Sequence, residues 1–146
     1  MTQLTPHFSL DELVFSSTAQ HLHIDNTPDA ATLQRLTALA NGLEQIRGLL
    51  GQPMHIDSGY RCPALNKAVG GVPDSAHIQG YAADFVCPDF GSPLTIARAI
   101  ADSSIDFDQC IVEANTWVHV SFDPRLRRQT LTANFGPNGA TYSQGI

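Results

Sequence analysis

The sequence predicts a small α+β domain in which a small antiparallel sheet has helices packed on one side. One long segment repeats its apolar residues at helical spacing, whereas several short segments alternate apolar and polar residues or are rich in β-branched residues. A chain of 146 residues is long enough for a single domain with its own hydrophobic core. We therefore expect one domain over residues 1–146, with a mainly helical part at 1–50, a core that carries the candidate site at 54–122 and a loose, turn-rich tail at 136–146.

Three segments carry signals for the start of a helix. In FSLDEL, Ser9 stands three residues before a glutamate, a capping-box pattern that predicts a short helix beginning near Ser9. Farther along, Thr27 is the expected N-cap of a long helix and Pro28 its first residue. Ser92 and Pro93 have the same two positions in GSPLTIARAIADS. Apolar residues that recur every three or four positions support the long helix: Leu33, Leu36, Ala40, Leu43, Ile46 and Leu50.

Four short segments are predicted strands, and they are MHIDSGYR, AADFV, FDQCIVE and WVHVSF. Between the first two lies Cys62–Gly80, a segment with two prolines and three glycines for which we expect a long loop. A loop of this length within a small domain is usually either functional or disordered.

Composition and charge argue against several classes of function. The net charge of −6 disfavours nucleic-acid binding and association with an anionic membrane, and the one basic cluster, Arg125–Arg128, is too short to change this. Three cysteines without paired spacing, Cys62, Cys87 and Cys110, suit reduced thiols in a cytoplasmic product. The stretch MTQLTPHFSLDEL lacks the pattern of a signal peptide, and no apolar run approaches a membrane span. We expect synthesis in the cytoplasm, and a monomer.

An aspartate inside an apolar strand indicates a candidate site. Asp84 lies in AADFV, where an unpaired carboxylate is costly, so we expect an arginine, a set of backbone amides or a metal ion beside it. Gly80 lets the chain fold back and bring His77 toward Asp84, and strand alternation places His119 on the less apolar face of its strand. Two histidines and a carboxylate suit Zn²⁺ with an open fourth position. The spacing is equally compatible with two unrelated histidines and an ion pair between Asp84 and an arginine.

A longer motif surrounds these residues. The segment SAHIQGYAAD matches S-x-H-x-x-G-x-A-x-D and resembles the signature of the M15 zinc peptidases, the D-alanyl-D-alanine carboxypeptidase and endopeptidase family, whose fold hedgehog signalling domains share. The segments SGYRCPALNKAVGGVPDSAH and FDQCIVEANTWVHVSF resemble the arginine-bearing loop and the last ligand segment of that family, so that the resemblance runs from about Ser58 to Phe122. It implies a hedgehog-like or DD-peptidase-like zinc peptidase fold. The motif positions are Ser75, His77, Gly80, Ala82 and Asp84.

The resemblance also implies roles for individual residues. His77, Asp84 and His119 are the implied zinc ligands, and Arg61 is the implied binder of a substrate carbonyl or carboxylate. Ser75 would donate a hydrogen bond to a peptide terminus. The structural alternatives are a salt bridge that fastens the loop for Arg61 and a turn or helix cap for Ser75.

Glu113 is the candidate general base, although it lies six residues before His119. Many M15 members have their acidic residue three positions before the last histidine, where this sequence has Thr116, whereas the hedgehog-like branch uses six. If ANT is a three-residue hairpin loop, Glu113 pairs with Trp117 and Ile111 with His119, so that Glu113 and His119 share a face with Cβ atoms roughly 7–8 Å apart. A two-residue loop would place them on opposite faces. Trp117 would line the substrate pocket or simply pack.

As a whole, the resemblance implies a zinc-dependent peptidase that hydrolyses D-Ala-D-Ala or L-Ala-D-Glu bonds in peptidoglycan stem peptides. With no signal peptide expected, a phage or prophage endolysin released by a holin to act on the cell wall fits this activity. One alternative is a non-catalytic zinc-containing module that binds the cell wall or a partner protein. The other alternative, a cysteine hydrolase, lacks a nucleophile motif in this sequence.

Overall fold

The computed structural model of the chain describes residues 2–146, and Met1, the first residue of the predicted domain, lies outside the described residues. Helices and strands are both present along the chain, which confirms the predicted α+β class. None of the helices within residues 2–146 has the length and apolar character needed to cross a membrane. The elements in chain order are β1 (Gln3–Thr5), β2 (Phe8–Ser9), α1 (Leu10–Val14), α2 (Ser17–Leu22), α3 (Ala30–Leu50), β3 (His55–Ser58), α4 (Pro63–Ala68), α5 (Ala76–Gln79), β4 (Ala82–Val86), α6 (Pro93–Ala101), β5 (Gln109–Glu113), β6 (Trp117–Ser121), β7 (Gln129–Gly136) and β8 (Gly139–Gln144).

The long helix α3 begins slightly later than the sequence predicts. Its N-cap is Asp29, whose carboxylate accepts a 2.8 Å hydrogen bond from the backbone N–H of Thr32. The prediction of Thr27 as the cap is wrong because the Thr27 hydroxyl already donates to the Asp25 carboxylate, 2.6 Å away. Pro28 therefore precedes the cap and does not open the helix.

The other two predicted helix starts are confirmed. The Ser9 hydroxyl accepts a hydrogen bond from the backbone N–H of Glu12 at the start of α1. At the start of α6, Ser92 accepts one from Thr95, and Pro93 is the first helical residue.

The predicted loop Cys62–Gly80 contains the two short helices α4 and α5, so the loop prediction is wrong in part. Pro63 opens α4, where a residue without an N–H group costs no hydrogen bond. Ser75 caps α5 by accepting a 3.2 Å hydrogen bond from the backbone N–H of His77. Gly80 ends α5 at a left-handed φ of 82° and turns the chain back into β4, as predicted.

Six strands form one sheet in the order β3-β4-β6-β5-β7-β8. Every neighbouring pair is antiparallel except β5 and β7, which are parallel, so the sheet is mixed where a purely antiparallel one was predicted. The last residue of β6 pairs with the first residue of β5, so the connection 122–128 starts at the edge of the sheet where β5 begins. The strand β7 begins at this same edge, but on the side of β5 that faces away from β6. A strand that enters there necessarily runs parallel to β5.

Residues 136–146, predicted as a loose tail, contain the edge strand β8, which pairs with β7 from Gly136↔Gly139 to Leu131↔Gln144. A two-residue turn joins the strands, and Gly139 follows it with a positive φ of 101°. The prediction is wrong because the Pro-Asn-Gly turn of a hairpin has the same composition as an unstructured tail.

The two faces of the sheet differ in what covers them. One face packs against α3 and α6, which confirms the prediction of helices on one side. Its strand residues form the main core, and they are Ala83, Phe85, Cys110, Val112, Val118 and Val120. The residues that alternate with these point to the opposite face, among them Asp84, Glu113 and His119. The candidate site therefore lies on the face away from α3 and α6.

Candidate metal centre

The structure brings His77, Asp84 and His119 together. Each offers one ligand atom, and these three atoms lie within 4.8 Å of one another. Asp84 on β4 and His119 on β6 are direct partners across the sheet, and α5 brings in His77. Oδ1 of Asp84 is 2.9 Å from His119 Nδ1 and 3.2 Å from His77 Nε2. The expected juxtaposition of these three residues is therefore present.

The orientation of the His77 ring is set by a backbone carbonyl. Its Nδ1 lies 2.7 Å from the carbonyl oxygen of Gly59, which can only accept a hydrogen bond, so Nδ1 carries the proton. This interaction turns Nε2 toward Asp84. A histidine whose second nitrogen is fixed by a backbone carbonyl is a typical metal ligand. Only 2% of the His77 side chain is exposed to solvent.

Burial and the neighbouring charges shift the pKa values of this cluster in different directions. Burial lowers the pKa of His77 more than the attraction of Asp84 raises it, so His77 is neutral. Burial would raise the pKa of Asp84, but the two histidines hold it well below its ordinary value and the carboxylate stays ionised. Burial would also lower the pKa of His119, yet the hydrogen bond and charge of Asp84 outweigh it and raise that pKa.

Glu113 lies beside the cluster because of the predicted hairpin. The turn 114–116 gives the register Glu113↔Trp117 and Ile111↔His119, which confirms the three-residue loop. Oε1 of Glu113 is 3.7 Å from His119 Nδ1, and Oε2 accepts a 3.0 Å hydrogen bond from the indole Nε1–H of Trp117. Burial and the nearby Asp84 carboxylate raise the pKa of Glu113 above its ordinary value.

The backbone of Arg61 is hydrogen-bonded to the backbone of His77, one of the candidate metal ligands. The N–H of Arg61 donates a 3.1 Å hydrogen bond to the carbonyl of His77, and its side chain lines the same cleft. Within residues 2–146 the guanidinium forms no ion pair, and its buried Nε has no hydrogen-bond partner. Burial lowers the pKa of Arg61, while Asp84 and Glu113 oppose that shift. The salt bridge considered as a structural alternative is therefore absent from the described residues.

Ser75 has the structural role considered for it. Its hydroxyl caps α5, directly before His77, and its side chain also lines the cleft. Two of the cysteines, Cys87 and Cys110, are fully buried in the core, and burial raises the pKa of Cys110 to about 12. This position does not suit a nucleophile, because a nucleophilic cysteine needs access and a low pKa.

A cleft of about 780 Å³ extends from the cluster across the exposed face of the sheet. Its walls include two groups that sequence reasoning missed. One is the β7–β8 hairpin, which contributes Phe135 and Tyr142. The alternation of polar and apolar residues in QTLTANFG was the sequence signal that could have predicted strand β7. The other is the buried Asp108, which pairs at 2.8 Å with Arg127, a residue that the sequence analysis interprets only as part of a basic cluster.

Comparison with known proteins bears on these residues directly. The family model described as Peptidase M15 matches residues 6–121, a span that contains every proposed site residue from Arg61 to His119 and excludes the β7–β8 hairpin. None of the curated proteins matches the chain. M15 peptidases are metal-dependent, in agreement with the clustered ligand atoms. Since the match covers most of the 146 residues, the chain belongs to the peptidase M15 family.

Proposed function

We propose that the chain is a zinc-dependent peptidase that hydrolyses peptide bonds in peptidoglycan stem peptides. One observation carries this proposal. The ligand atoms of His77, Asp84 and His119 lie within 4.8 Å of one another, and a carboxylate oxygen of Glu113 lies 3.7 Å from His119 Nδ1. A cluster of metal ligands with a carboxylate beside it is the minimum that metal-assisted hydrolysis requires.

The chemistry of the donor set fits a zinc ion. His77 is neutral and has used its Nδ1–H on Gly59, so its Nε2 directs a lone pair at the Asp84 oxygen 3.2 Å away. Two lone pairs at this distance repel each other unless a cation lies nearby. Two imidazole nitrogens and one carboxylate oxygen are accepted zinc ligands, and three protein ligands are usual in catalytic zinc sites. When bound, zinc supplies Lewis-acid chemistry, lowering the pKa of water and polarising a carbonyl group.

The residues around the ligands would perform the remaining steps. Glu113 accepts a proton from the attacking water and delivers it to the leaving amine, a task helped by its raised pKa. Arg61 binds the substrate carbonyl or a terminal carboxylate, because its Nε has no partner among residues 2–146. Ser75 and Trp117 line the cleft beside these groups and would contact the peptide.

Family membership and the cleft support the substrate class. The resemblance of the motif to D-Ala-D-Ala peptidases implies a stem peptide, with the D-Ala-D-Ala and L-Ala-D-Glu bonds as the candidates. The cleft of about 780 Å³ is large enough for several residues of such a peptide.

The experiment is mass spectrometry of stem peptides and intact sacculi after incubation with the zinc-loaded protein. We expect cleavage at one bond, and a loss of about 100-fold or more in Glu113→Gln with zinc still bound. Glu12→Gln, at a half-buried carboxylate in α1 outside the cleft, is the matched control and should keep full activity. Stoichiometric zinc binding without cleavage of either substrate would contradict the proposal and favour the non-catalytic wall-binding module.

For the biological setting we propose a phage or prophage endolysin that a holin releases to the cell wall. The support is the proposed substrate, because an enzyme that cuts the wall must reach it at a controlled time. Expression in a bacterial host with and without a holin tests this. Lysis only in the presence of the holin supports the setting, whereas lysis without it, or no lysis with it, contradicts it.

A further inference from the structure

Three aromatic side chains form a surface beside the metal centre, and two of them lie outside the family match at residues 6–121 and have no part in the proposed mechanism. We call Trp117, Phe135 and Tyr142 the aromatic shelf. Trp117 and Phe135 are stacked, with ring centroids 6.0 Å apart and an angle of 26° between the ring planes. Phe135 is 51% exposed and Tyr142 is 55% exposed, and all three residues line the cleft that contains the metal ligands.

The register of the sheet explains why the shelf faces the cleft. Trp117 pairs with Glu113, Glu113 with Ala133 and Ala133 with Tyr142, so these four residues form one row across β6, β5, β7 and β8. Partners across a sheet share a face. Phe135 is two residues beyond Ala133 and therefore points the same way. Ala133, which lies between Glu113 and Tyr142 in this row, has a small side chain and is fully buried.

The distance from the metal centre to the shelf limits the size of the ligand. His119 is on β6, whereas Phe135 and Tyr142 are on β7 and β8, two and three strands away. At ~4.8 Å per strand, this separation is roughly 10–14 Å. A molecule that reaches both places is therefore about as long as three or four residues of extended peptide. One substrate can occupy the metal centre and the shelf together.

The residues that line the cleft next to the shelf indicate the chemical class of ligand that would bind there. Apolar residues such as Val72 and Ile111 line the rest of the cleft together with the charged groups of Arg61 and Glu113. A wholly apolar ligand would cover these groups without pairing them, which is costly. A pyranose ring presents a flat C–H face to an aromatic ring and keeps hydroxyl and amide groups at its edge for polar partners. In a peptidoglycan stem peptide, such a ring is covalently attached to the peptide.

We propose that the aromatic shelf binds an N-acetylated amino-sugar ring of the glycan strand, and so selects stem peptides that are still attached to sugar. The proposal rests on the peptidase function proposed above. It also assigns a purpose to the β7–β8 hairpin, which supplies two of the three rings and lies outside the family match at residues 6–121.

The first test does not depend on catalysis. The chain contains a single tryptophan, Trp117, so its fluorescence reports directly on the shelf. We expect saturable quenching or a spectral shift with the tetramer of N-acetylglucosamine, none with maltotetraose, and a loss of about tenfold in affinity in the double variant Phe135→Ser/Tyr142→Ser. Phe15→Ser removes a ring of similar exposure (56%) outside this cleft and should bind as the unmodified protein does.

The second test uses the reaction. We compare kcat/KM for a disaccharide-linked stem peptide with that for the same peptide without sugar, and expect their ratio to fall about tenfold in the double variant. No binding of the tetramer, an unchanged ratio, or a dimer that the double variant abolishes would overturn the proposal, the last by showing that a second copy covers the shelf. If the unmodified protein cleaves neither substrate, the peptidase function fails, while the fluorescence titration still decides the shelf.

Discussion

Trp117 and Glu113 are paired across the β5–β6 hairpin, and the indole Nε1–H of Trp117 donates a 3.0 Å hydrogen bond to Oε2 of Glu113. The other oxygen, Oε1, lies 3.7 Å from His119 Nδ1. The indole therefore fixes the carboxylate with one oxygen directed toward the metal centre. A tryptophan at this position positions the proposed base in addition to lining the cleft.

Replacing Trp117 by phenylalanine should slow catalysis without disturbing the metal centre. The variant keeps an aromatic ring for packing against Phe135 but removes the hydrogen bond to Glu113. Because hydrogen bonds to charged groups contribute about 1.5–3 kcal/mol, we expect kcat to fall roughly tenfold or more. KM and zinc content should change little. Steady-state kinetics with metal analysis tests this, and an unchanged kcat would show that another contact orients Glu113.

The hairpin that creates this pairing could be predicted from sequence, whereas the hydrogen bond could not. Strand alternation and the length of the ANT loop are local features, and they were sufficient to place Glu113 and His119 on one face. The same local reasoning brought His77 and Asp84 together through Gly80. The orientation of a side chain on the sheet depends on which residues surround it in the folded structure. The local spacing of residues along the sequence does not specify those neighbours.

Longer-range features explain the remaining errors. The parallel pairing of β7 with β5 depends on where the 122–128 connection crosses the sheet, and no local pattern records this. The cap of α3 was misplaced because Thr27 has a competing partner in Asp25. The contact between Gly59 and His77 joins residues 18 positions apart, so it too was outside the reach of periodicity.

Gly59 leads to a prediction about metal affinity. A Cβ atom at this position would collide with the backbone carbonyl oxygen of Leu13, so Gly59→Ala must move the backbone whose carbonyl holds His77. Loss of a hydrogen bond that orients a metal-binding histidine typically lowers metal affinity 10–100-fold, and we expect a decrease in that range. Competition with a fluorescent zinc chelator measures it. Gly48→Ala is the matched control, because nothing lies within 4 Å of its Cβ position.

A Gly48→Ala variant should bind zinc normally and be slightly more stable, since alanine is favoured over glycine in a helix by up to about 1 kcal/mol. Equal zinc affinity in both variants would show that the Gly59 carbonyl does not orient His77.

Zinc should stabilise the folded protein through the same three ligands. A ligand that binds only the folded state stabilises it by about 2.7 kcal/mol at a free concentration 100 times its dissociation constant. We therefore expect the melting temperature to rise with added zinc and to fall back after chelation. Asp84→Asn keeps the shape of the side chain but removes the anionic ligand, and its melting temperature should respond little to zinc. A full zinc response in Asp84→Asn would place the metal elsewhere.

The buried ion pair at the far end of the cleft predicts how stability depends on pH. Asp108 accepts two 2.8 Å hydrogen bonds from the Arg127 guanidinium, and only 2% of its side chain is exposed. These hydrogen bonds lower the pKa of Asp108 below its ordinary value, against the effect of burial. A carboxyl whose pKa is lower in the folded state stabilises the fold above its unfolded pKa, about 3.9, and loses that contribution as the pH falls through the folded pKa.

Asp108→Asn should therefore cost about 1–3 kcal/mol at pH 7 and clearly less at pH 3, where the unmodified protein has lost part of the same contribution. Urea unfolding at both pH values measures the difference. Asp106→Asn, at an exposed carboxylate two residues earlier, is the matched control and should leave the stability at both pH values nearly unchanged. The same loss at pH 3 as at pH 7 in Asp108→Asn would mean that packing, and not the charge on Asp108, stabilises this end of the cleft.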